Sequence, residues 1–208
     1  DADSTLICFF SDHGDHLGDR CAWLKERTFD ASCHIPFLVS WPASLPADEC
    51  RDELVCLTDL FGIATHAAGK TETRDGSDIL AMLTGDAPPR ESVIGMYGVP
   101  GTPQFKVMVR REDWKYIYIA NGGREQLFNL AEDHNELTNR ASSDSEKVTL
   151  LRKIAITACE PAESGDALDA NGLRSFLFEE RERRRIHQFD RSRGITGFPD
   201  RPEDVVRT

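Results

Sequence analysis

Thr5-Leu6-Ile7-Cys8-Phe9-Phe10-Ser11-Asp12-His13-Gly14-Asp15-His16-Leu17-Gly18-Asp19 is the stretch on which the fold is decided. Leu6 to Phe10 is apolar without alternation, the pattern of a strand covered on both faces in a largely parallel sheet. A short apolar run also fits a buried helix, and strand is preferred here. The run stops on an Asp-His pair and turns through Gly, which sets a carboxylate and an imidazole side by side at the end of the strand, where α/β enzymes hold metals. Asp12 offers a hard anionic oxygen and His13 a neutral nitrogen, two ligands for a divalent cation whose others come from elsewhere. Gly14 and Gly18 let the backbone turn tightly. Alone, such a pair is more often a polar loop in which Asp12 caps the next segment and His13 is solvated.

The wider sequence tips that balance. Asp12-His13-Gly14-Asp15-His16-Leu17-Gly18-Asp19, Trp23-Leu24-Lys25 and Ile35-Pro36-Phe37-Leu38-Val39-Ser40-Trp41-Pro42 follow in order. Then come Leu57-Thr58-Asp59-Leu60-Phe61, Ala67-Ala68-Gly69, Asp75-Gly76-Ser77-Asp78-Ile79-Leu80, Trp114-Lys115-Tyr116 and Glu125-Gln126-Leu127-Phe128-Asn129-Leu130. Over residues 4–156 this succession resembles the C-terminal part of the sulfatase family (arylsulfatase and choline-sulfatase types), within the alkaline-phosphatase-like superfamily.

The resemblance implies that Asp12 and His13 are metal ligands and that Lys25 contacts the sulfate or phosphate group of a substrate. A lysine ammonium is a compact point charge suited to an anionic oxygen, and beside a cation it stabilises charge on the transferred group and leaving oxygen. His16 stands where the family often has Met or another nonpolar residue, and is assigned to the scaffold in preference to the substrate pocket. Asp15 and Asp19 are turn and capping groups. His34 is a scaffold position, and His66 a satisfied or partly exposed helix histidine. Calcium is the usual family metal; the imidazole in place of the Asn of some relatives leaves manganese, magnesium and zinc open.

One family element is absent from these residues. Sulfatases carry a C-x-P-x-R signature whose cysteine or serine becomes formylglycine, the hydrate of which is the nucleophile, and that signature lies far toward the N-terminus. None of Cys8, Cys21, Cys33, Cys50, Cys56 and Cys159 opens it. Cys159-Glu160-Pro161-Ala162-Glu163 comes nearest and lacks the arginine. The expectation is a parent enzyme that hydrolyses sulfate monoesters, small-molecule or saccharide, with formylglycine and the remaining metal-binding aspartates in a missing N-terminal half. The chain alone is expected to be inactive, because nucleophilic catalysis needs the nucleophile. Two alternatives stand beside it: a phosphodiesterase or phosphonate monoester hydrolase of the same superfamily, and a non-catalytic remnant or binding module.

Composition bounds the partners. A formal charge of −11 over 208 residues argues against nucleic acid or an anionic membrane, and no apolar run approaches a membrane span. The cysteine spacings match no zinc ribbon, redox pair or dense secreted framework, so mostly buried thiols are expected. They leave the compartment open between cytoplasm and periplasm or secretion.

The fold class expected is α/β, a C-terminal part of an alkaline-phosphatase-like sheet sandwiched by helices, followed by a small antiparallel α+β subdomain. Residues 1–89 hold strands at 5–10 and 35–41, a Pro-rich turn at 42–46, a helix at 55–68 and a short helix at 75–83. Residues 90–163 hold strands at 92–97, 105–110, 114–119 and 126–129 and a helix at 146–157 with Val148, Leu151, Ile154 and Ala155 on one side. Asp133-His134-Asn135-Glu136 between them resembles a family turn and is expected to cap a helix and face water. Residues 164–208 form a tail with a solvated or salt-bridged helix over 173–189 and an extended arm or linker over 191–202, which either wraps over the body or contacts a neighbouring subunit in an oligomer.

Overall fold

The computed structural model describes residues 1–22, 24, 25, 27–70 and 75–180. Asp1–Leu177 forms one unit. The apolar run after Thr5 becomes β1 (Ile7–Phe10), and the Pro-preceded run becomes β2 (Phe37–Ser40). The two pair antiparallel, Phe9 opposite Leu38 and Ile7 opposite Ser40. This differs from the parallel, doubly covered strand expected of Leu6–Phe10. With a side-chain period of two, only alternate residues can face a single covering layer. Cys8, Phe37 and Val39 turn toward Ile63, Ile79 and Leu80, whereas Ile7, Phe9 and Leu38 remain 56%, 63% and 60% exposed. One-turn helix α1 (Asp30–Cys33) lies between the two strands in sequence.

The covering layer is α2 (Asp59–Ala67) and α3 (Ile79–Thr84), which carry those buried residues and preserve the α/β class. Helix α2 starts later than the expected residue 55. The reason is Asp59, fully buried, whose carboxylate accepts the backbone N–H groups of Cys56 and Ser77 at 2.7 Å each and holds the preceding residues in a turn. Arg90 clamps the same carboxylate with both terminal nitrogens. Burial alone pushes the Asp59 carboxyl up, but the Arg90 guanidinium and the two N–H donors outweigh it and hold it below its ordinary range. Asp78 caps α3 through Ala81 N–H and meets His66 Nδ1 at 2.7 Å, so His66 is partnered as expected.

From Ser92 the chain is a meander of β3 (Ser92–Tyr97), β4 (Lys106–Arg111), β5 (Trp114–Ile119) and β6 (Arg124–Asn129), neighbours in chain order and antiparallel throughout. Alternation sorts its faces. Val107, Val109, Tyr116, Tyr118 and Leu127 pack on Val148, Leu151 and Ala155 of α4 (Ser145–Ala158). Met108, Ile117, Phe128 and Leu130 enclose Phe29, which arrives from the β1–β2 connection. The sheet is therefore covered on one side by its own helix and on the other by the segment that leads to α1.

The second covering is fixed by charge. Lys115 is 1% exposed on the Ile117 face, with Nζ 2.6 Å from Asp30 Oδ1 and 2.9 Å from Glu136 Oε1. Glu136 Oε2 also accepts the backbone N–H of Asp30 at 2.7 Å. The acidic turn thus departs from the solvent-facing cluster expected of it. Asp133 does serve the turn, accepting N–H groups of Leu137 and Thr138, but Glu136 points inward, its two oxygens meeting Lys115 Nζ and the Asp30 N–H.

Two further expectations are corrected. The helix over 173–189 is not formed in its described part: β7 (Leu168–Asp169) pairs with β8 (Gly172–Leu173), and Phe176 bridges Asn121. Phe176 N–H donates to Ala120 O and Tyr118 Oη–H to Leu173 O, so the sheet margin takes the backbone groups a helix would need. Residues from 181 on, including the 191–202 arm, lie outside the described residues. Among the cysteines, Cys159 is buried, its thiol pushed up to about 11 by burial, but Cys8 and Cys56 are half-buried and Cys33 and Cys50 exposed. All five are free thiols. Cys33 ends a one-turn helix and Cys50 sits in an acidic loop, neither in a packed layer. No described helix is long and apolar enough to cross a membrane.

Replacing Lys115 by Met strands Asp30 and Glu136 as unpaired carboxylates, and the expected cost is about 3–5 kcal/mol. Urea unfolding followed by tryptophan fluorescence measures it. Restoring neutrality with Glu136→Gln in the same chain is expected to recover part of the loss.

Candidate functional site

The site forms where β1 ends. Ser11 Oγ–H donates to His13 O at 2.7 Å, which bends the chain out of the strand. His13 Nδ1 is 2.6 Å from Gly14 O, and a carbonyl can only accept, so Nδ1 carries the proton and Nε2 keeps its lone pair. That nitrogen lies 3.4 Å from Asp12 Oδ2 and 2.6 Å from Lys25 Nζ. The three residues singled out in the sequence therefore meet around one imidazole nitrogen. Asp12 is largely exposed and His13 about one-third exposed, so an incoming group has access.

Lys25 reaches this point through a folded loop. His16 N–H donates to Leu24 O, Gly18 N–H to Ala22 O and Asp19 N–H to His16 O, so the chain doubles back on itself. Leu17, Arg20 and Leu24 all take left-handed backbone, at φ 47°, 54° and 67°. Non-glycine residues adopt this region at a cost, and three in one loop mark a segment held by its surroundings. Asp15 Oδ1 accepts Leu17 N–H at 2.9 Å, the turn role expected of it. Arg20 lies over the Phe29 ring at 4.1 Å and donates to Asn135 O.

Two contacts press the loop onto α1. Gly14 N–H donates to Ser32 O at 3.0 Å, and a Cβ at Gly14 would collide with Ala31 O. Gly14 is thus needed for close approach, beyond the turn itself. His16 is 2% exposed and edge-on to Phe29, with ring centroids 6.1 Å apart, and neither ring nitrogen has a hydrogen-bond partner. It is a scaffold residue in an apolar slot, as expected. Burial pushes its pKa down, assisted by Arg27 and Arg20 and opposed by Asp19 and Asp15. His34 is exposed, 3.9 Å from Asp30.

The donor set suits a divalent cation in part. Asp12 and His13 offer an oxygen and a nitrogen on one side, and the Nδ1–H to Gly14 O bond orients the ring as in metal-binding histidines. Among the described residues no group of three or more His, Cys, Asp or Glu forms a fuller cage. The residues that sequence reasoning missed are Asp30, Lys115 and Glu136, which hold α1 beneath the loop. A signal existed: Lys115 stands at an inward position of an apolar strand, and a lysine there requires a carboxylate.

A family model described as Sulfatase matches residues 1–70. Among curated proteins the chain is 35% identical over 146 residues to the choline-sulfatase of Rhizobium meliloti, an alignment covering 68% of this chain and 28% of that protein. Among solved structures, the enzyme BT4656 in complex with its substrate D-glucosamine-2-N,6-O-disulfate has a TM-score of 0.67 at 18% identity, covering 76% of this chain and 34% of that one. The phosphonate monoester hydrolase of Agrobacterium radiobacter has a TM-score of 0.65 at 24% identity, covering 84% and 39%. The two structures share the fold, and the chain spans about a third of the length of the proteins it matches.

Gly14→Ala is expected to lift the loop from α1 and cost about 1–3 kcal/mol, read as a lowered melting temperature. For His16 the unfolded chain binds the proton more tightly than the folded one. Its contribution is complete above the ordinary histidine pKa of about 6.5 and is lost as pH falls toward the lower folded value, by up to about tenfold in the unfolding constant per pH unit. His16→Met should flatten the pH dependence of stability between pH 6.5 and 5; an unchanged slope would remove His16 as its source.

Proposed function

Since the chain belongs to the sulfatase family, we propose that it is the C-terminal portion of a metal-assisted sulfate monoester hydrolase, with Asp12 and His13 as two ligands of a divalent cation and Lys25 as a catalytic contact to the sulfuryl group. The observation that carries this is the meeting of Asp12 Oδ2 and Lys25 Nζ on His13 Nε2, within 3.4 Å, in a loop held by α1. Residues 1–89 then belong to the catalytic part, 90–163 to a supporting subdomain and 164–208 to a tail. Calcium is the first choice of cation, with manganese, magnesium and zinc as alternatives.

The chemistry follows from the protonation pattern. His13 has a single free lone pair on Nε2, and Lys25 donates to it. Asp12 and His13 would hold the cation, His13 through that lone pair, and Lys25 would then present its ammonium to an anionic oxygen of the ester. The cation would neutralise charge on the transferred group. Lys25 would stabilise the oxygens on which charge grows as the ester bond breaks, and Asp12 would hold the positive centre against the imidazole. The nucleophile, a formylglycine hydrate in this reading, comes from polypeptide outside these 208 residues, since no cysteine here opens the signature.

The test uses the complete product of the gene, assayed with 4-nitrophenyl sulfate and a phenylphosphonate monoester, beside the 208-residue chain. Sulfate ester turnover is expected from the former and none from the latter. In the complete product Lys25→Ala should lower kcat by roughly 100- to 1000-fold. His13→Ala should lower bound metal and activity together, and metal analysis of the purified protein identifies the cation. Preference for the phosphonate ester would move the assignment to phosphonate monoester hydrolysis. No turnover of either ester would leave the binding-module reading.

A further inference from the structure

The loop that carries Lys25 closes on a residue that packing alone does not explain. His16 N–H donates to Leu24 O at 3.1 Å and His16 O accepts Asp19 N–H at 2.7 Å, so both backbone groups of this residue serve the turn back toward Lys25. Among the described residues of the loop, His16 and Ala22 are the buried ones, whereas Leu17 and Leu24 remain exposed. The imidazole is the larger of the two anchors. An aliphatic side chain would fill the same slot without penalty, but an imidazole gives up water at two ring nitrogens that gain no partner.

The slot favours the neutral ring. A second proton would place a cation without an acceptor edge-on to Phe29, the ring over which the Arg20 guanidinium already lies at 4.1 Å. Arg27 adds another positive charge, and Asp19 and Asp15 oppose the two arginines. Both acids are exposed, and Asp15 already accepts Leu17 N–H. From the sheet side the slot meets Phe29 and, behind it, Phe128, which carry no charge. Asp133, in the turn that Arg20 reaches, acts on Arg20. Burial leads these effects, so the closed loop binds a proton at His16 less readily than an open one.

We propose that His16 is a positioning residue for Lys25: its neutral ring keeps residues 16–24 folded back, and a proton on it opens that turn and draws the ammonium away from His13 Nε2. The latch follows from the loop itself and rests on the functional assignment above only for its effect on turnover. The proton comes from solvent, and no bond other than the new N–H forms or breaks. Lys25 is held in place above about pH 6.5, where a free imidazole is neutral, and is released below it. His13 is a second imidazole at this corner, so the test compares proteins that differ at His16 alone.

Hydrogen exchange over residues 14–25 is measured by mass spectrometry on the complete gene product at pH 7.5 and 5.5, with rates corrected for the intrinsic effect of pH. The opening constant should rise about tenfold between the two, as for an imidazole of ordinary pKa in the open loop that stays neutral in the closed one. Amides of β5 should keep their protection, which separates local opening from unfolding. His16→Met should abolish the rise, and so should His16→Gln, a polar side chain that does not titrate and stands in if Met distorts the slot. With 4-nitrophenyl sulfate, the acid limb of the pH profile should move to lower pH in either variant, a change that a merely structural residue would not make. Equal exchange at both pH values in the unsubstituted protein overturns the proposal. A rise that persists in both variants, a rise that β5 shares, or an acid limb that stays in place does the same. A loop that opens with acid in a protein without turnover keeps the latch and overturns the sulfatase assignment; turnover with a loop indifferent to pH does the reverse.

Discussion

Lys115 between Asp30 and Glu136 is the contact on which the arrangement of this protein turns. Ions of this kind lose several kcal/mol of hydration when buried, and their attraction returns that only where the geometry is good and the remaining polar atoms are satisfied. Lys115 hydrogen-bonds Asp30 at 2.6 Å and Asp30 N–H donates to one Glu136 oxygen, while the other, Oε1, is held by the ion pair with Lys115 at 2.9 Å and has no hydrogen bond. Arg110 is half-buried nearby; burial pushes its pKa down, opposed by Asp30, Asp113 and Glu136, and its ion pair is with Asp113 at 4.0 Å. The value of such a cluster lies in registry more than in net stability. An apolar cluster around Phe29 could be satisfied by several poses of the segment, but an ammonium with two carboxylates accepts one.

That registry passes to the site through short links. Asp30 opens α1, Ser32 in the same helix accepts Gly14 N–H, and Gly14 follows His13 directly. Lys25 is tied from the other side, through Leu24 and His16, to the ring that stands on Phe29. The left-handed residues of the loop are the local cost of bringing a lysine back over the strand end. Position of the Asp12-His13-Lys25 group is thus set by a sheet that contributes no atom to it.

The sequence made some of this plain. Alternation in 106–129 and the helical spacing of Val148, Leu151 and Ala155 announced the meander and its helix, because each face there is buried against a single layer. Asp12, His13 and Lys25 were legible from their motif, and the structure brings them together. What escaped were long-range effects. Leu6–Phe10 is apolar on both faces, yet pattern alone cannot say whether the second face is covered within these residues. Glu136 read as a solvated turn acid because its partner is on a strand, and Leu173 to Leu177 read as helix because the claim of Ala120 on Phe176 N–H lies outside any local window.

The Lys115 cluster also has a consequence in time. Asp30 and Lys115 are 85 positions apart, and Asp30 and Glu136 are 106 apart. At translation rates of about 5–20 residues per second, the ribosome needs on the order of 5–20 s after making Asp30 before Glu136 exists. During that interval the nascent Asp12–Lys25 segment has no anchor, and Phe29 no sheet to enter. The meander is built from chain neighbours and can close quickly once made, since short loops cost little entropy. Assembly of the Asp12-His13-Lys25 corner is therefore among the last events in the biogenesis of this region. A polypeptide ending short of Glu136 would carry Asp12, His13 and Lys25 fully translated and structurally unset.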